Sequence, residues 1–234
     1  MQRVITYIDG FNLYFGMKAQ YNNKYLWLDV EALSRSLLVT GQELVATKYF
    51  TSMVTNQPDK EKRQRTYLDA LKSSTGCHFY YGRYQSNVIK CRGCGSNWPS
   101  PKEKMTDVNI ATQMLMDAFT DQFDVAILIS GDTDLIPPIQ AIKSLSPQKR
   151  VGLYFPPSRH SIQLESVVDF SGLIGKKKLR ESQLPENITK PNGFVLTRPT
   201  TWGWACSRWG FYTTFYTTNS KYQHNQLIIN YLNI

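Results

Sequence analysis

The chain has 234 residues, 41% of them hydrophobic, and a formal net charge of +9. That length suits one α/β domain with a tail and a substantial core, and the composition excludes a disordered chain. No apolar run approaches the roughly 18 residues of a membrane span, and the N-terminus lacks the apolar core of a secretory signal. A cytoplasmic chain with no membrane partner is therefore expected, and its positive charge favours a polyanion. Cys77, Cys91, Cys94 and Cys206 in such a chain argue against a disulfide framework.

The run from Val4 to Ile8, VITYI, is expected of a strand buried on both faces, and it ends in Asp9-Gly10. Asp29 stands where it would cap a helix whose Val30, Leu33, Leu37 and Leu38 share a face. Leu44 to Val54 reads as a second strand. Asp59 to Ser74 reads as a helix with a charged outer face, stopped by Gly76. Cys77 to Tyr84 reads as a third strand, and residues 85–101, rich in Ser, Asn, Gly and Pro, read as a loop.

A helix is predicted from Thr106 to Phe119, and a fourth, fully buried strand from Val125 to Ser130. Pro137 and Pro138 fit the first turn of the next helix, where missing N–H groups cost little. Arg150 to Pro156 reads as a fifth strand. Alternating strands and helices predict an α/β fold with a mainly parallel sheet and helices on both faces. Residues 200–234 hold no Asp or Glu and three of the five Trp, with no period that assigns a fold.

In an open parallel sheet, ligands bind beyond the carboxyl ends of the strands. Asp9 follows the first strand, and Asp132 and Asp134 follow the fourth. Asp107 opens the helix TDVNIATQMLMDAF, on the face that carries Ile110, Ala111, Met114, Leu115 and Ala118. A carboxylate on that face is unfavourable unless charge or hydrogen bonds offset its burial, although the helix dipole helps in the first turn. These acids are expected to meet in one crevice. Their mutual repulsion is resolved by a divalent cation, and oxygen ligands without His favour Mg²⁺ or Mn²⁺ over Zn²⁺. Such a cation commonly serves phosphate chemistry. Asn12 can offer an amide to a phosphate. Read singly, Asp107 remains a helix N-terminal charge, and Asp132 or Asp134 a helix cap.

The segments YIDGFNLYFG, EKMTDVNIATQMLMDAF, LISGDTDLIPPIQAI and RVGLYFPP, in this order, resemble the NYN-domain family. This is the branch of the PIN-like ribonuclease superfamily that includes bacterial LabA-like proteins. The resemblance spans residues 3–175 and implies a Rossmann-like PIN fold with strand order 3-2-1-4-5. It also implies a metal-dependent endoribonuclease site. Asp9 resembles the metal ligand after the first strand and Asn12 its D-x-x-N companion. Asp107 resembles the helix-borne acid, Asp132 the acid after strand four, and Asp134 its neighbour. Ser130 and Thr133 are placed to meet phosphate or a water beside the metal. A nuclease domain over residues 1–180 and a C-terminal extension of unknown fold over 181–234 follow.

Cys91-x2-Cys94 looks like half of a zinc knuckle, which Cys77 and His78, or a second copy in a homodimer, would have to complete. The alternative is a pair of reduced thiols on a loop. Lys90, Arg92, Lys102 and Lys104 flank the expected crevice, with Tyr80, Tyr81, Tyr84 and Trp98 nearby to stack on bases. The leading function is a metal-dependent endoribonuclease acting on single-stranded RNA. The alternative is a catalytically inactive NYN-type RNA-binding module. A haloacid-dehalogenase phosphatase would need D-x-D after the first strand, where this chain has DGFN.

Overall fold

The computed structural model describes residues 1–90 and 93–203, with the backbone alone for 84–89 and 98–103. Residues Met1–Trp204 form one compact unit; Ala205–Ile234 are a second unit, outside the described residues. In chain order the elements are β1 (Gln2–Asp9), α1 (Gly10–Tyr21), α2 (Val30–Leu37), β2 (Gln42–Thr51), α3 (Pro58–Ser74) and β3 (His78–Tyr81). Then come β4 (Arg83–Lys90), β5 (Asn97–Lys104), α4 (Thr106–Phe119), β6 (Val125–Ile129), a 3-10 turn (Thr133–Leu135) and α5 (Ile136–Leu145). The described chain closes with β7 (Arg150–Phe155), α6 (Ile162–Glu165), β8 (Phe170–Leu173), α7 (Lys176–Glu181), β9 (Asn187–Thr189) and β10 (Val195–Thr197).

The main sheet has order β3-β2-β1-β6-β7-β8, and every pairing in it is parallel. This is the expected order, with β8 added as a sixth strand at the edge. Successive residues of the central strands feed opposite cores. Val4, Ile8, Val125, Ile127 and Ile129 pack with α1, α2 and α3. Ile5, Tyr7, Ala126 and Leu128 pack with α4 and α5. The order of strand addition reverses at the β1–β6 pair, so the two connections leaving these parallel strands diverge and open a crevice at their carboxyl ends.

Three expectations change. Residues 85–90 and 97–101, expected in a loop, are strand: β4 and β5 pair antiparallel, Arg83 opposite Lys104 through Lys90 opposite Asn97. Pro99 and Pro101 lie two apart, so their missing N–H groups fall on one edge, and a two-stranded ribbon has a free edge to take them. Gly76 does not stop α3, because Thr75 already leaves the helix in extended conformation, its N–H on the Leu71 carbonyl. The compact unit also runs beyond residue 180, since Leu184, Ile188, Leu196 and Trp202 join the α1–α3 core. Trp202 packs edge-on to Tyr67 and against Tyr14. Among the described residues, no helix is long and apolar enough to cross a membrane.

A buried ion pair ties α4 to the sheet. Lys48 Nζ on β2 donates to both oxygens of Asp117 on α4, at 2.9 and 2.7 Å, and to Gln113 Oε1 at 3.0 Å. The Tyr7 hydroxyl donates to Asp117 Oδ2 at 2.5 Å. Burial, then the Asp117 charge, pushes that hydroxyl well above its usual range, which keeps it a donor. Removing one partner strands the other in a dry site, whereas removing both does not. Asp117→Ala is expected to lower stability in urea by about 3–5 kcal/mol, and Lys48→Met with Asp117→Leu by much less.

At the amino end of β1, Arg3 donates from its backbone N–H to Asp124 at 2.7 Å and from its guanidinium to Asp124 and Asp121. Arg3 holds the Asp124 carboxyl down at about 2. A carboxyl lowered in the folded state stabilises fully above its unfolded value, about 3.9, and loses that contribution as pH falls. The stability difference between the native chain and Asp124→Asn is expected to be full at neutral pH and to close between about pH 4 and pH 2.

Candidate functional site

Asp9 is the last residue of β1 and is 4% exposed. Its Oδ1 accepts the Asn12 N–H at 2.9 Å and so caps α1. Its Oδ2 accepts the Ser130 hydroxyl at 3.0 Å. Ser130 Oγ in turn accepts the Asp132 N–H at 3.1 Å, and Asn12 Oδ1 accepts the Gly131 N–H at 3.0 Å. These bonds join the exit of β1 to the exit of β6. Asp132 Oδ1 accepts the Asp134 N–H at 3.0 Å and caps the 3-10 turn. The cap is thus Asp132 and not Asp134.

Asp107 arrives from the other side, in the first turn of α4. Met105 just before it has φ +79°, a left-handed conformation rare for a residue with a side chain, and it swings the chain from β5 into α4. Burial raises the Asp107 carboxyl above its usual range, and the charges of Asp132 and then Asp134 raise it further. Asp9, Asn12, Asp107 and Asp132 line one pocket of about 230 Å³, together with Phe11, Phe15, Thr106 and Arg159.

The remaining expected residues are distributed otherwise. Asp134 and Thr133 are exposed on the 3-10 turn, outside the pocket lining, although the Asp134 charge still reaches Asp107. Ser130 has no exposed surface and acts as a strut between Asp9 and Asp132. Lys90 and Lys104 are exposed at the ends of the β4–β5 ribbon and do not line the pocket. Cys91 and Arg92 lie outside the described residues, as does the side chain of Lys102. Cys77 packs against the α1–α3 core, where burial and then Glu31 and Asp29 push its thiol up to about 12. Cys94 is exposed and donates to Ser96 Oγ at 3.3 Å. Tyr80 stacks on Phe50 with centroids 4.8 Å apart and belongs to the core. His160 bonds Glu165 at 2.9 Å, beside the Phe155 ring.

Among the described residues, no three His, Cys, Asp or Glu side chains are grouped so that they could hold a metal ion together. Mg²⁺ commonly takes only one or two carboxylates, keeps water and completes its shell with substrate phosphate. Acids from three separate segments around one polar pocket fit that loose mode of binding. A larger hollow of about 490 Å³ between α4 and α5 is lined by Leu115, Met116, Phe119 and Leu145 among others, with no titratable side chain.

Four pocket residues go unnoticed in the sequence: Phe11, Phe15, Thr106 and Arg159. The phenylalanines flank Asn12 on a helix with apolar residues all round, so no stripe announces it. Arg159 follows β7 in a Pro-Pro-Ser-Arg turn that packs closely on two glycines. A Cβ on Gly131 would overlap the Arg159 carbonyl oxygen, and one on Gly16 would lie 2.6 Å from that of Pro157. Only glycine lets these backbones approach.

The NYN domain family matches residues 3–171. A 6-hydroxy-3-succinoylpyridine 3-monooxygenase, HspA, of Pseudomonas putida is 30% identical over 67% of this chain; the chain spans 60% of that protein. A solved protein of unknown function from Vibrio parahaemolyticus, VPA0982, is similar at 21% identity and TM-score 0.49. That similarity covers 75% of this chain and 94% of the other.

Gly131→Ala is expected to push the Arg159 turn off the β6 exit. The expected loss is about 1–3 kcal/mol, read as a lowered urea midpoint with unchanged slope.

Proposed function

Because the chain belongs to the NYN domain family, we propose that it is a divalent-metal-dependent endoribonuclease acting on single-stranded RNA. The observation that supports this most is the meeting of Asp9, Asp107 and Asp132, from three separate segments, in one pocket at the sheet's switch point. Burial, and then the charges of Asp132 and Asp134, raise the Asp107 carboxyl above its usual range. A counter-charge relieves it. One or two of Asp9, Asp107 and Asp132 would hold Mg²⁺ or Mn²⁺, with water and substrate phosphate completing its shell and Asp134 contributing charge from just outside. The ion, when bound, would supply positive charge that acidifies water and neutralises a phosphodiester.

The chain's own groups have separate roles. With Oδ1 committed to Gly131, Asn12 has its amide NH₂ to offer to a phosphate oxygen. Arg159 adds a guanidinium suited to a second oxygen. Water forms the new P–O bond, the P–O3′ bond breaks, and the product carries a 5′-phosphate. The attacking water loses its proton to a pocket carboxylate, and solvent protonates the departing 3′-oxygen. Ser130, below the pocket, keeps Asp9 aimed.

A second reading comes from the 30% identity to the monooxygenase. It would put an N-heteroaromatic ring in this pocket and would need dioxygen and a reductant. A third keeps RNA binding without turnover. All three separate in one set of assays.

Asp132→Asn is the informative variant, because an asparagine keeps the Oδ1 that caps the 3-10 turn. It is expected to fold normally and to lower Mn²⁺-dependent RNA cleavage by about two orders of magnitude or more. Mn²⁺ at 100 times its Kd should stabilise the native chain by about 2.7 kcal/mol in thermal melts and Asp132→Asn by much less. Cleavage by Asp132→Asn at the native rate would sink the mechanism. Metal-independent RNA binding without cleavage selects the inactive module, and dioxygen uptake with a hydroxypyridine selects the oxygenase.

A further inference from the structure

We propose that Phe11 and Phe15 form a stacking platform for an unpaired base beside the scissile phosphate, with Arg159 holding a neighbouring phosphate. This rests on the ribonuclease reading of the same pocket. The two rings lie one helical turn apart on α1, 21° from parallel, with centroids 6.0 Å apart. Helix α1 begins one residue after Asp9, and Asn12 sits on the turn between the rings. The rings are therefore indexed to the acids by rigid helix rather than by a loop.

Phe15 is 45% exposed, although its helix buries Leu13, Gly16 and Met17. Leaving so much phenyl surface in water forgoes burial energy that a ligand would recover. Its orientation is nonetheless set: Tyr14 meets it edge-on at 5.2 Å and 79°, and Tyr14 in turn leans on the buried Trp202. Phe11 and Phe15 already stack on each other, so a base adds to the outside of the pair rather than between its members. Stacking on phenyl rings does not distinguish the bases but does require an open base face, which a duplex does not offer.

Arg159 completes the platform with charge. Among the described residues it is the one cationic side chain lining a pocket otherwise marked by three carboxylates. Its turn packs closely against Gly131, which leads to Asp132, and Gly16, which follows Phe15. The guanidinium thus shares a frame with both the acids and the rings. Acids alone repel a nucleic acid; the rings and the arginine supply attraction that does not depend on the cation. The ligand class is single-stranded RNA threaded with one base on Phe15 and its phosphates between Arg159 and the acids.

The test is fluorescence anisotropy with a labelled single-stranded RNA octamer and its duplex. All variants carry Asp132→Asn to suppress turnover, and each is also assayed for cleavage with Asp132 restored. Phe15→Ala is expected to weaken single-strand binding about 5- to 150-fold and Phe15→Trp to restore it, with duplex binding and melting temperature unchanged. Arg159→Ala should flatten the salt dependence by about 0.7 in log–log slope, one phosphate's share. Equal single-strand affinity in Phe15→Ala overturns the platform, and continued cleavage by the chain with Asp132 then leaves the ribonuclease standing. Neither RNA binding nor cleavage by the native chain overturns both.

Discussion

Everything at the candidate site depends on the hydrogen bonds that lace the exit of β1 to the exit of β6. Parallel neighbours with diverging connections would otherwise leave a loose gap. Here Asp9, Asn12, Ser130 and the backbone N–H groups of Gly131 and Asp132 close its floor. Each bond uses a short polar side chain within three residues of a strand end. The acids are therefore not decorations on flexible loops. Asp9 gives both carboxylate oxygens to the framework and Asp132 gives one, and that commitment fixes where their charges sit.

Charge of one sign fixed in this way is unfavourable, and the fold bears it through α4. That helix has two carboxylates at opposite ends with opposite fates. Asp117 is neutralised by Lys48 and held by Tyr7, which locks the helix onto β1 and β2. Asp107 has no such partner among the described residues; burial, and then the charges of Asp132 and Asp134, raise its carboxyl. The buried ion pair at the far end keeps α4 from sliding away to relieve the repulsion at the near end. Met105, in a backbone conformation unfavourable for its type, marks the same constraint from the other side.

The parallel core was legible because VITYI and VAILI carry apolar residues on both faces, which only a strand between two helical layers tolerates. The acids were legible because Asp9 and Asp132 interrupt those runs abruptly, and Asp107 breaks an apolar helical face. Helix α1 was not, since GFNLYFGMKAQY mixes two glycines with apolar residues spread too widely around the helix to form a stripe. The β4–β5 ribbon was not, because Pro99 and Pro101 read as loop until the free edge is known. Arg159 was hidden for a different reason: it is brought to the acids by close backbone packing on Gly16 and Gly131, a long-range contact with no local period.

The chain's overall charge and the pocket's local charge have opposite signs. A net +9 draws a polyanion from a distance, within the screening length of about 8 Å at physiological salt. The same polyanion meets Asp9, Asp107 and Asp132 on arrival, and at close range their repulsion dominates because a partly buried site is screened less. Attraction far away and repulsion at contact leave the approach stalled unless something at the pocket changes sign. A divalent cation does so only where the acids stand. Arg159 does so at the rim without a metal ion, and the exposed face of Phe15 adds stacking that carries no charge. On this reading the rim selects and holds the strand while the acids, with their ion, act on it, so the two tasks fall on residues a single helical turn and one tight loop apart.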